Sequence, residues 1–153
     1  MHLIIDGYKA DFKKLSDKTV VYDFLNMLPE EIKMTKLIEP QVYLYKGNKK
    51  EDWGVSGFVL IAESHISVHT FPDREYINID IFSCKKFDSY KSEKQAKDFF
   101  NIGKIKSVTL ERGIDFDDPQ ELKEDMESSR VNLTAQTIKF LGVDEESSRE
   151  THD

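Results

Sequence analysis

A serine, two histidines and a cysteine lie close together in the middle of the chain. The segment AESHISVHTFP, residues 62–72, contains Ser64, His65 and His69, and Cys84 follows fifteen residues after His69. A serine hydroxyl is a nucleophile, an imidazole accepts protons near neutral pH, and a thiol can donate a proton. These residue types predict a site for nucleophilic or acid–base chemistry.

Other interpretations of the same residues remain open. Ser64, His65 and His69 could be ordinary strand residues whose side chains form hydrogen bonds at a half-buried surface. A zinc site is disfavoured because only these histidines and one cysteine lie nearby, and no helix carries them as a metal-binding pair. No metal ligand is therefore predicted. A hydrolase triad is disfavoured because ESH lacks the glycines that flank a serine on a sharp turn. A single cysteine such as Cys84 is often inert packing.

The segments around these residues have the pattern of β-strands. Short apolar runs rich in Val, Ile, Phe and Tyr alternate with polar residues and are bounded by turn-forming sequences. The turn PDRE separates the two strands that follow Ser64. Strands are predicted at residues 1–8, 41–46, 55–63, 65–71, 76–84 and 104–113.

Two helices are predicted beside these strands. The first begins at Ser16 or Asp17 and ends at Pro29, because apolar residues recur between them at helical spacing. The second begins with a capping box formed by Ser92 and Gln95. The predicted fold is α+β, a two-layer sandwich in which an antiparallel sheet carries its helices on one face.

The two predicted helices can cover only one face of this sheet, so another element must pack on the second face. In residues 76–84 the isoleucines share one face by the two-residue period of a strand, and the other face carries Asn78, Asp80, Phe82 and Cys84. The run GFVLIA is apolar without alternation, which is typical of a strand buried on both sides. We therefore expect a partner subunit, giving a homodimer with an αββα arrangement.

Composition limits the classes of function. The net charge of −7, with lysines scattered among carboxylates, argues against a nucleic-acid partner. Apolar runs are too short to cross a bilayer, and the N-terminus does not resemble a signal peptide, so a cytoplasmic protein is expected. With one cysteine, the chain cannot form an internal disulfide.

The combination GVSGFVLIAESHISVHTFP and YINIDIFSC resembles the prokaryotic S-adenosylmethionine decarboxylase proenzymes, a pyruvoyl-dependent family. The resemblance is dense from Gly54 to Cys84 and extends more loosely over residues 1–113. It does not include residues 114–153, which are expected to form an acidic C-terminal extension.

The resemblance implies roles for individual residues. The Ser64 hydroxyl would attack the Glu63 carbonyl, His69 would then remove the Ser64 α-proton, and cleavage between the two residues would leave a pyruvoyl group derived from Ser64. That group would form a Schiff base with S-adenosylmethionine, and Cys84 would donate the proton that replaces CO₂. Ser56 resembles the family serine that assists processing. The product is the aminopropyl donor for spermidine and polyamine synthesis.

Substrate choice is less constrained by the sequence. Phe71, Trp53 and Tyr45 are candidate substrate-binding residues, and each could equally be packing; His65 is expected to be structural. The sequence departs from many relatives in the longer lysine-rich loop before Gly54, in FPD instead of WPE, and in KKFD after the cysteine. Arginine or ornithine are therefore alternative substrates. An unprocessed, non-catalytic homologue that binds an active subunit is a second class of hypothesis.

Overall fold

Six β-strands form one sheet in the computed structural model, which describes residues 1–111. The order across the sheet is β2-β3-β4-β5-β1-β6, and each neighbouring pair from β2 to β1 is antiparallel. The strands are β1 (His2–Tyr8), β2 (Gln41–Lys46), β3 (Trp53–Ile61), β4 (Ser64–Phe71), β5 (Tyr76–Ser83) and β6 (Lys104–Leu110).

Three helices accompany the sheet, and an aspartate caps the N-terminus of each. They are α1 (Phe12–Ser16), α2 (Lys18–Glu31) and α3 (Ser89–Phe100). The carboxylates of Asp11, Asp17 and Asp88 accept hydrogen bonds from backbone N–H groups in the first turns, which satisfies donors that have no partner within the helix. No helix among residues 1–111 is long and apolar enough to cross a membrane.

The hydrophobic core lies between the helices and one face of the sheet. Alternate residues of β1, β4 and β5 are buried there, including the three isoleucines of β5. Burying each such side chain contributes about 1.5–3 kcal/mol. The predicted α+β sandwich with helices on one face is therefore confirmed. The largest fully buried side chains are those of Phe24, Phe100, Leu3, Ile5, Leu15, Leu25, Leu28, Ile61, Ile66, Ile77, Ile79 and Ile81.

The opposite face, which we call the open face, is partly apolar and exposed in the single chain. Phe58 and Leu60 point outward from β3 with exposed fractions of 39% and 40%, and Tyr43 and Tyr45 do so from β2. The expectation that this part of β3 is buried on both sides is thus not met within one protomer. The expected dimer stays a prediction.

Helix boundaries differ from the sequence prediction. Helix α3 begins at Ser89, because Asp88 and not Ser92 is its N-cap; Ser92 is buried inside the helix and donates to the Asp88 carbonyl. Helix α2 continues through Pro29 to Glu31. The short helix α1 was not predicted. The predicted C-terminal extension, residues 114–153, lies outside the described residues.

Candidate active site

Ser64 begins β4 at the tight hairpin that joins it to β3. The strands pair Ile61 with Ser64, so Ala62 and Glu63 form the connecting turn, and Ser64 also pairs with Ser83 on β5. The Ser64 backbone has a φ of 154°, which L residues with a side chain rarely adopt. Such torsions cost about 1–3 kcal/mol and occur preferentially at functional sites.

The peptide bond between Glu63 and Ser64 is held from two directions. The Cys84 backbone N–H donates a hydrogen bond of 3.0 Å to the Glu63 carbonyl oxygen. The Glu63 carboxylate accepts one of 3.1 Å from the Thr35 N–H, and the Thr35 carbonyl accepts one of 2.8 Å from Ala62 N–H. The carbonyl that precedes Ser64 is therefore fixed in place and polarised by a backbone donor.

The Ser64 hydroxyl lies next to an imidazole, but not the one expected. Its Oγ atom is 3.4 Å from Nδ1 of His65. The His65 ring forms a T-shaped contact with Phe82, with the ring centroids 5.5 Å apart. Cys84 is exposed and follows β5 directly beside this hairpin. We call Glu63, Ser64, His65 and Cys84 the cleavage-site cluster.

His69 lies at the other end of β4. Its Nδ1 is 2.9 Å from the Ser56 Oγ on the neighbouring strand, where the two residues are direct cross-strand partners. His69 is five positions after Ser64 in β4, and a strand rises about 3.3 Å per residue, so the two Cα atoms are about 16 Å apart. The structure joins His69 to Ser56, a contact that the sequence analysis did not predict, and does not bring His69 to Ser64 within one chain.

Two of the three candidate substrate-binding aromatics, Phe71 and Tyr45, share the open face with His69. The Trp53 indole N–H donates to Asp73 over 2.9 Å, and the Phe71 and Tyr76 rings are 5.5 Å apart. Tyr45 is half exposed on β2. Trp53 is on the opposite face, where its ring contacts Phe12 of α1 with the centroids 6.2 Å apart. We call Ser56, His69, Tyr45, Phe71 and Tyr76 the His69 cluster.

A polar group on the open face was missed by the sequence analysis. The Tyr76 hydroxyl donates to an Asp6 carboxylate oxygen over 2.6 Å, the Asn78 amide donates to the same oxygen, and Asn78 is the cross-strand partner of His69. Burial, with the hydrogen bond to Asp6, raises the pKa of Tyr76 well above its ordinary value. A carboxylate is thus fixed near the His69 cluster. The sequence feature that could have revealed this group is the alternation of side chains in β1 and β5, which places Asp6, Tyr76 and Asn78 on one face of the sheet.

Comparison with known proteins identifies the family. Residues 1–113 match the family model described as S-adenosylmethionine decarboxylase. A proenzyme of that name from Clostridium botulinum strain Langeland is 32% identical over 113 residues, covering 73% of this chain and 92% of that protein. One from Archaeoglobus fulgidus is 34% identical over 115 residues, covering 73% and 96%. The crystal structure of the adenosylmethionine decarboxylase from Aquifex aeolicus is similar with a TM-score of 0.64 and 26% identity, covering 76% of this chain and 92% of that one. The chain therefore belongs to the S-adenosylmethionine decarboxylase family.

Proposed function

We propose that this protein decarboxylates S-adenosylmethionine with a pyruvoyl group that it makes from Ser64 after cleaving its own chain at the Glu63-Ser64 bond. The product would be the aminopropyl donor for polyamine synthesis. Family membership supports the reaction. The cleavage site rests on one observation above all, the hydrogen bond from the Cys84 N–H to the carbonyl oxygen of Glu63.

That hydrogen bond suits the first step of processing. When the Ser64 hydroxyl attacks the Glu63 carbonyl carbon, negative charge develops on the carbonyl oxygen that the Cys84 N–H already contacts. Backbone donors fixed at such an oxygen stabilise it without reorganising, and removing one donor typically slows reaction 10²–10³-fold, as an order of magnitude. The unusual φ of Ser64 would be relaxed when the peptide bond becomes an ester.

The second step needs a base at the Ser64 α-carbon, and the His69 of the same chain is too far away. A two-fold dimer with open faces in contact would let the His69 of one protomer approach the Ser64 of the other. In such an interface the same surface of both subunits is used, so any contact between two different positions occurs twice, once in each direction. Ser56 would orient that imidazole. The exposed Phe58 and Leu60 would be covered by the same contact. We therefore assign each active site to residues from two chains.

The mature site would combine the same two clusters. A pyruvoyl group at position 64 supplies a ketone that binds the substrate amine and accepts electrons as CO₂ leaves. Cys84 is exposed directly beside this position, where its thiol can deliver a proton to the substrate α-carbon. These residues fit the group because Ser64 carries the hydroxyl from which it would form, and the Cys84 N–H contacts the carbonyl of the preceding residue.

The His69 cluster suits a cationic ligand that carries an aromatic base. Phe71 and Tyr45 offer rings on which adenine could stack, which is worth about 1–3 kcal/mol per base. Asp6 provides a fixed negative charge on the same face for the sulfonium or amine. Arginine and ornithine are cationic too, but they have no group that requires an aromatic platform.

The test is release of labelled CO₂ by purified, self-cleaved protein from carboxyl-labelled S-adenosylmethionine, arginine and ornithine. We expect S-adenosylmethionine to be the preferred substrate. The Cys84→Ser variant should still cleave its chain but turn over much more slowly, whereas Ser64→Ala should neither cleave nor release CO₂. A higher kcat/KM for arginine or ornithine would transfer the function to amino-acid decarboxylation. A cleaved protein inactive on all three would refute the proposal.

A further inference from the structure

The proposed function gives no role to His65. Its Nδ1 is nevertheless the imidazole nitrogen next to the Ser64 hydroxyl, at 3.4 Å from Oγ. The His69 imidazole belongs to the other end of β4, about 16 Å along the strand. Processing needs a base at two different atoms, first the Ser64 hydroxyl and later its α-carbon. Within one chain only His65 is near the hydroxyl, and the proposed dimer would bring the His69 of the second protomer to the α-carbon.

The neighbours of His65 hold its ring on the open face. His65 is paired with Leu60 on β3 and with Phe82 on β5. The Phe82 ring lies between two imidazoles, since its centroid is 5.5 Å from that of His65 and 5.6 Å from that of His2. The ring contacts Phe82 while its Nδ1 is on the side of Ser64.

We propose that His65 is the catalytic base for the first step of self-cleavage and acts on Ser64 of its own chain. This inference rests on the proposed cleavage between Glu63 and Ser64. Hydrogen bonds of catalytic groups are often long before the reacting atoms close together, so a distance of 3.4 Å is compatible with the role.

Conversion of the Glu63-Ser64 peptide bond to an ester neither consumes nor releases a proton overall. His65 Nδ1 takes the hydroxyl proton as the Ser64 Oγ forms a bond to the Glu63 carbonyl carbon. The carbonyl electron pair moves to the oxygen that the Cys84 N–H contacts. When that pair returns, the bond from the Glu63 carbon to the Ser64 nitrogen breaks, and His65 gives its proton to that nitrogen. The products are an ester and a free amine, with no net change in protons.

The experiment measures ester formation separately from chain cleavage. In a His69→Ala chain the α-proton is not removed, so the ester should accumulate, and hydroxylamine then splits the chain at the ester into two fragments. Adding His65→Asn or His65→Phe to that chain should slow the appearance of hydroxylamine-sensitive protein by about 100-fold or more, the usual contribution of a general base.

The two variants separate base catalysis from other roles of the side chain. Asn keeps a hydrogen-bond acceptor near Nδ1 but cannot take a proton, and Phe keeps the ring packing on Phe82. Added imidazole should restore ester formation in a folded His65→Ala chain. Ester formation by His65→Asn or His65→Phe at the rate of the His69→Ala parent would overturn the role of His65. An uncleaved wild-type chain would instead refute the proposed function, and the role of His65 with it.

Discussion

The assignment of each active site to two chains predicts that defective chains rescue each other. One chain carries His69→Ala and keeps Ser64; the other carries Ser64→Ala and keeps His69. Neither should cleave itself when expressed alone, because the first lacks the base and the second lacks the serine. In a mixed dimer, the Ser64 of the first chain meets the His69 of the second.

The expected fraction of cleaved chains follows from the distance between His69 and Ser64 and from random pairing of the two kinds of chain. Hydrogen-bond contact requires about 3 Å, whereas His69 and Ser64 of one chain lie about 16 Å apart along β4. Cleavage within one chain is therefore negligible. At equal expression, a His69→Ala chain has about an even chance of a partner that supplies His69 in a symmetric two-fold interface. About half of these chains should be cleaved.

Intact-mass measurement of the co-expressed chains, which differ in mass, gives the cleaved fraction of each. The matched control co-expresses wild-type chain with a chain that carries both Ser64→Ala and His69→Ala. Here about half of the wild-type chains should remain uncleaved, because their partner has no His69. The reasoning is refuted if wild-type chains are cleaved completely beside the double variant while His69→Ala chains stay intact beside Ser64→Ala.

Three further predictions concern the scaffold. The buried Thr70 hydroxyl donates to the Leu15 carbonyl and accepts from the Val55 N–H, each over 2.8 Å. Thr70→Val leaves these backbone groups without that hydroxyl, so urea unfolding should show a free energy of unfolding lower by about 1–3 kcal/mol. Thr70→Ser keeps the hydroxyl and should lose much less. A Cβ at Gly54 would lie 1.8 Å from the Thr70 carbonyl oxygen, so Gly54→Ala should separate β3 from β4 and lower Tm more than Thr70→Ser does. The raised pKa of Tyr76 favours the neutral phenol in the folded state, so its contribution to stability is complete below about pH 10 and is lost as pH rises further. Urea unfolding should show that the free energy of unfolding falls less between pH 9 and pH 11 for Tyr76→Phe than for wild type. An equal fall in both proteins would contradict the raised pKa of Tyr76.

The sheet was predictable from sequence because its strands obey a simple period. The isoleucines of β5 alternate with polar residues, and the structure buries them as expected. Helix α1 was not predictable in the same way, since only Leu15 is buried in its five residues and no periodicity can develop. The predicted start of α3 was wrong because the sequence offers two possible N-caps, Asp88 and Ser92. The side chain of Asp88 is the one that accepts the hydrogen bond at the N-terminus.

The residues of the candidate site were predictable, but their arrangement was not. The family resemblance implied that His69 acts on Ser64, yet an extended strand moves the two residues apart by about 3.3 Å per residue. The contact between Cys84 and Glu63 depends on the register of β4 against β5. Sequence alone does not fix that register. His65 looked structural because only the torsion of Ser64 at the hairpin brings its hydroxyl to Nδ1.

The central claim is self-cleavage at Ser64, and mass spectrometry of the purified wild-type protein tests it most directly. We expect one fragment that ends at Glu63 and a larger one whose first residue is derived from Ser64 and carries a ketone. That ketone should react with a hydrazine reagent. Ser64→Ala should remain a single chain close to the 17.8 kDa of the full sequence. A wild-type chain that stays fully intact and still releases CO₂ from S-adenosylmethionine would contradict the account.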